Sequence, residues 1–142
     1  MRFLKFICPG LIVAFSVSAN SANFVKEPSF EAKTKVETLQ LKKTKGTWVL
    51  SHKKNGKAIY NKSFVGVDSV VKIESLFTKL RNQFLELEQR KQPSKCSKLE
   101  IKINGVLSKN LNFCRQTQQA VFIKAMIERE FKEASQMIEN QD

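Results

Sequence analysis

TWVLSHKKNGKAIYNKSFV, residues 47–65, sets Asn55-Gly56 between two runs of strand-forming residues. Both turn residues tolerate positive φ, which a two-residue turn matching strand twist demands. Thr47 to Lys53 supplies Trp48, Val49 and Leu50; Ala58 to Val65 supplies Ile59, Tyr60 and Phe64. The stretch predicts an antiparallel hairpin. Two registers fit it. A plain turn sets His52 opposite Ile59 but leaves Trp48 opposite Ser63, whereas a β-bulge would shift the pairing.

Upstream, Val36 to Lys43 carries Leu39 and Leu41 at period two among polar residues, a half-buried strand pattern. Lys45-Gly46 can turn the chain between that strand and the hairpin. Downstream, Asp68 or Ser69 can cap a helix by accepting a backbone N–H. Val70, Ile73, Phe77, Leu80, Phe84 and Leu87 then recur at spacings of three and four, an apolar stripe made to lie on a sheet. Gln92-Pro93-Ser94 ends it. Lys98 to Asn104 and Val106 to Phe113 read as two strands joined at Asn104-Gly105. A last helix is expected over Gln116 to Asn140, with Ile123, Ile127, Phe131, Ala134 and Ile138 on one face, widened by Phe122 and Met126.

The predicted order is β-β-β-α-β-β-α, one α+β domain over residues 33–142. A small antiparallel sheet of about five strands, with two helices packed on one face, buries every apolar stripe. The other sheet face would meet water. Residues 23–32 carry little pattern and are expected to form a flexible N-terminal arm.

Residues 1–22 read as a secretory signal peptide. Arg2 and Lys5 precede a mostly apolar run from Phe6 to Val17, and small residues follow at Val17-Ser18-Ala19 and Asn20-Ser21-Ala22. The run is short of the roughly 20 apolar residues a spanning helix needs and is broken by Pro9-Gly10. The expected product is exported, periplasmic or secreted, with no stable membrane anchor after cleavage. Cleavage removes Cys8 and leaves Cys96 and Cys114, one pair for an oxidising compartment. The two strands that they flank would bring them together as a disulfide at the open end of a hairpin.

Without Arg2 and Lys5, 23 basic residues face 13 acidic ones, a net charge of +10. Such a charge steers polyanions toward the protein. Outside a cell these are polysaccharides, anionic lipid head groups, shed nucleic acid or an acidic protein; intracellular nucleic acid is not an expected partner. From Lys33 to Lys62 there are nine lysines and a single acid, Glu37. Lys42, Lys43 and Lys45 flank the first turn; Lys53, Lys54 and Lys57 surround Asn55-Gly56. They are the candidate binding residues, although lysine on strand edges also discourages aggregation.

No catalytic constellation is evident. His52 is the only histidine, and it is expected to sit at the surface or on a strand edge. There is no Gly-x-Ser-x-Gly elbow and no glycine-rich phosphate loop. No cofactor or metal is expected. The sequence points to a small exported, non-catalytic binding protein that contacts an acidic partner through its lysine-rich hairpin region. One alternative is an exported inhibitor of a secreted peptidase or other enzyme, since a rigid turn enters a cleft with little ordering cost. Another is a small secreted hydrolase, which would need His52 or a carboxylate pair in a cleft.

Overall fold

A computed structural model describes residues 26–88 and 91–139, the side chains of residues 138 and 139 aside. The expected leader at 1–22 and residues 23–25 of the expected arm lie outside the described residues. The elements are β1 Ser29–Lys33, β2 Glu37–Thr44, β3 Thr47–Lys54, β4 Lys57–Phe64, α1 Val67–Leu85, β5 Lys98–Asn104, β6 Lys109–Cys114 and α2 Gln118–Glu139. All strand pairs are antiparallel, and the sheet order is β4-β3-β2-β1-β5-β6.

The hairpin that opens the sequence argument forms as its turn chemistry demands. Asn55 and Gly56 take φ values of 50° and 75°. Lys54 pairs with Lys57 and Lys53 with Ala58, after which the register shifts and His52 faces Tyr60. Ile59 is the extra residue of this bulge. The shift sets Trp48 opposite Phe64 and so puts both aromatics on the buried face. Burial of two large side chains selects the bulged register over the plain one.

The sheet has six strands, one more than expected. The added strand is β1, within the stretch expected to be a flexible arm. It lies in the middle of the sheet, paired with β2 on one side and β5 on the other. Phe30 faces Leu41 and Ile103 across the two ladders, and Ala32 faces Leu39 and Ile101. Without β1 the β2–β4 meander and the β5–β6 hairpin would share no hydrogen bond.

One core serves the described residues. Phe30, Leu41, Leu50, Ile101 and Leu111 from the sheet meet Ile73, Leu80 and Phe84 from α1 and Ile127 and Phe131 from α2. The Phe30 ring touches those of Phe84 and Phe131 at centroid distances of 5.5 and 6.3 Å. Both helices therefore cover the same sheet face. The opposite face shows alternate residues such as Gln40, Lys42, Ser51, Lys53 and Asn61, and among the described residues no element packs on it. Phe122, expected on the buried stripe of α2, is instead 70 % exposed, whereas Met126 packs against the core.

The β5–β6 connection is longer than a two-residue turn at Asn104-Gly105. Ile103 pairs with Lys109, Ile101 with Leu111 and Leu99 with Phe113. A tight turn would have set Ser108 and Asn110 against the core. Side-chain alternation excludes it, because an odd slip of register turns every side chain to the other face. Cys96 and Cys114 form a disulfide at the open end, with Cα atoms 5.6 Å apart.

The helix ends are secured by partners that differ from those expected. Gly66, at φ 91°, precedes α1 with no side-chain cap, and Asp68 lies in the first turn, where a carboxylate suits the helix dipole. Lys109 Nζ donates to the carbonyl oxygens of Leu85 and Leu87, closing the C-terminal end of α1 with a cation. Thr117 Oγ1 accepts the N–H of Ala120 at the start of α2.

Candidate functional site

Two places gather functional groups, one on each face of the β3–β4 hairpin. Adjacent strand residues point to opposite faces, so Lys53 and Lys54 serve different surfaces. Lys53 is the cross-strand neighbour of Thr38 on the open face, and Lys54 that of Glu37 on the helix-covered face.

The open face carries a shallow depression of about 340 Å³. Lys42 and Lys53 line it with Gln40, Thr44, Ser51 and Asn61. The two expected lysine clusters lie at opposite ends of β3, yet each sends one member into this depression. Lys45, Lys54 and Lys57 lie at or beside the turns, outside it. Lys43 is engaged elsewhere: its Nζ is 2.9 Å from Glu74 and 5.7 Å from the Trp48 ring centroid. Glu74 also accepts the Trp48 indole N–H at 3.1 Å. Those hydrogen bonds from Lys43 and Trp48 hold the Glu74 carboxyl below its ordinary value.

The second place is a cleft of about 360 Å³ between the end of the hairpin and α2. Glu37 forms its floor with only 7 % of its side chain exposed. His52 Nε2 lies 2.7 Å from Glu37 Oε1, and Lys124 Nζ lies 2.9 Å from Oε2. Lys124 also bonds Glu128, one turn along α2. An ionised carboxylate only accepts, so Nε2 must carry the proton of this bond. The Tyr60 ring stands edge-on to His52 at 5.3 Å. His52 is thus half-buried and partnered, not the surface histidine expected. Its partner is the one acid of the lysine-rich stretch.

Burial works to raise the Glu37 carboxyl, but the hydrogen bonds from Lys124 and His52 outweigh it and hold the group below its ordinary 4.5. Burial likewise opposes the charge on Lys124, and bonding to Glu128 and Glu37 reverses that and raises it. Since folding lowers the Glu37 value, its contribution is present above pH 4.5 and is lost as pH falls through the folded value. Urea midpoints followed by Trp48 emission are expected to drop on acidification below 4.5. Glu37→Gln is expected to be less stable at neutral pH and to show a flatter acid limb; equal limbs in both proteins would refute this role.

Tyr60 behaves in the opposite sense. Burial and then the charge of Glu37 push its hydroxyl up from 10.0 to about 12. Folding favours the neutral phenol, so its contribution is lost as pH rises from 10.0 toward about 12. Tyr60 is the only tyrosine, so phenolate absorbance reports it alone. The native midpoint is expected near 12 and the urea-unfolded one near 10; a native midpoint near 10 would show that the ring lies outside the Glu37 cleft.

No protein-family model, curated protein or solved structure matches this chain. Its chemistry is therefore carried by its own geometry. Among the described residues no three His, Cys, Asp or Glu side chains gather as metal ligands. Among them, too, no helix is long and apolar enough to cross a membrane. His52 bonds a carboxylate, and among the described residues no Ser, Thr or Cys side chain is hydrogen-bonded to it.

Glu37 was missed in the sequence as a buried group, although Glu37, Leu39 and Leu41 stand at period two. That was the available signal for a buried carboxylate. Lys124 and Glu128 come from α2 and had no signal in the hairpin itself.

Proposed function

We propose that the protein is an exported, non-catalytic binding module that holds an acidic partner against its open sheet face. The observation that carries this reading is the open-face depression, where Lys42 and Lys53 from opposite turns stand among neutral polar groups with no acid in the lining. Among the described residues neither lysine makes a hydrogen bond or ion pair. Six hydrogen-bonded strands fix the backbone beneath them, so little ordering accompanies contact. The disulfide suits an oxidising compartment, and the sequence of residues 1–22 suits export.

Binding of the chain lacking residues 1–22 to heparin should weaken steeply as salt is added. Lys42→Gln with Lys53→Gln should lower the slope of log affinity against log salt by roughly one per lysine. Indifference to heparin and to anionic vesicles at low ionic strength would end this reading.

A second reading, inhibition of a secreted peptidase, is favoured by a separate observation. Val106 and Leu107 are 84 % and 63 % exposed at the tip of the disulfide-clamped β5–β6 hairpin. A panel of secreted peptidases tests it, with Val106→Asp and Leu107→Asp expected to abolish any inhibition found.

A further inference from the structure

The cleft above Glu37 contains more cations than its carboxylates occupy. Glu37 uses one oxygen for His52 and the other for Lys124, and Glu128 bonds Lys124 as well. Lys54 and Lys132 line the same cleft and, among the described residues, their ammonium groups make no hydrogen bond or ion pair. Lys54 is even the cross-strand neighbour of Glu37, yet no ion pair joins them. Tyr60 also lines the cleft, and among the described residues its hydroxyl has no hydrogen-bond partner.

We propose that this cleft binds one oxyanion group, phosphate or carboxylate, between the ammonium groups of Lys54 and Lys132 and the hydroxyl of Tyr60. Three elements, β3, β4 and α2, present these donors to one cavity. The carboxylates already there bond Lys124 and His52, so an entering anion meets two ammonium groups that no carboxylate holds. The neutral phenol, held against ionisation by burial and by Glu37, is a donor at any pH near neutrality. Lysine ammonium groups suit this task as point charges that follow the ligand's oxygens without demanding a planar geometry. Tyr60 lines both this cleft and the open-face depression, but the lysines differ: Lys54 and Lys132 belong to the cleft, Lys42 and Lys53 to the open face.

His52 is the only histidine, so its ring resonances report the cleft without ambiguity. Inorganic phosphate and, separately, acetate are titrated into the chain lacking residues 1–22 at fixed pH and ionic strength. A saturable shift of the His52 signals is expected with at least one of them, and the comparison tells which oxyanion fits. Lys132→Gln should weaken that binding roughly tenfold, the worth of a charged hydrogen bond, and Lys54→Gln with Lys132→Gln should abolish it. Unchanged Trp48 emission establishes that these variants are folded. Lys42→Gln with Lys53→Gln should leave the phosphate or acetate shift intact while reducing heparin binding. Linear, unsaturated shifts with both anions, or full binding in the Lys54 and Lys132 double variant, would overturn the proposal. So would loss of the shift in the Lys42 and Lys53 variant.

Discussion

Phe30→Ala is expected to destabilise the domain by roughly 3–5 kcal/mol, the range for removing a large aromatic side chain from a packed core. Phe30 has no exposed surface and stands where α1 and α2 both meet the sheet, in ring contact with Phe84 and Phe131. Its strand is hydrogen-bonded on both sides, so the site cannot collapse without displacing β2 or β5. A typical domain has only about 5–15 kcal/mol in hand, so this single truncation takes a large share. Urea unfolding read by Trp48 emission measures it. Lys33→Ala, an exposed position of the same strand, should change stability by no more than about 0.5 kcal/mol. A Phe30→Ala effect as small as that of Lys33→Ala would return residues 29–33 to a peripheral arm.

Removing the disulfide is expected to cost about 3 kcal/mol, from the loop-closure entropy of an 18-residue separation. The bridge joins the segment before β5 to the end of β6, and the Cys114 carbonyl accepts the Thr117 hydroxyl just ahead of α2. Release therefore loosens both the hairpin end and the entry to α2. Reductant should lower the urea midpoint of the parent protein and leave Cys96→Ala with Cys114→Ala unmoved. A parent protein whose thiols become titratable without any change in midpoint would show that the bridge contributes nothing to stability.

The elements legible in the sequence were those whose signals are local. Asn55-Gly56 marked the turn but left two registers open, and the mismatch of Trp48 with Ser63 in the plain one is what the bulge in the structure removes. The stripes from Ile73 to Phe84 and from Ile123 to Ala134 lie against the sheet as their spacing required. What escaped was non-local. In β1 only Phe30 and Ala32 face the core, too short an alternation to stand out, and its two partners supply the rest of the evidence. The β6 register was decided by which face Leu111 and Phe113 must take, not by the glycine at 105. Gly66 replaced Asp68 or Ser69 as the residue before α1 because the helix begins at Val67, ahead of the first stripe residue, Val70.

The candidate site was half legible for the same reason. The lysines were plain in the sequence. Their division between two faces follows from strand alternation, but the shared depression of Lys42 and Lys53 depends on how β2 and β3 align. The His52–Glu37 bond joins strands that are neighbours, whereas Lys124 and Lys132 arrive from the last helix, and no pattern within the hairpin announces them.

The central place of β1 also sets an order of events during synthesis. A chain emerges from the ribosome amino-terminus first. Ser29 and Asn104, joined by a side-chain hydrogen bond, are 75 residues apart. β1 can pair with β2 almost at once, but its other edge stays bare until β5 has been made. Until β5 pairs, that edge of β1 leaves a row of backbone groups beside Phe30 without partners, and an unpaired strand edge is open to addition by another chain.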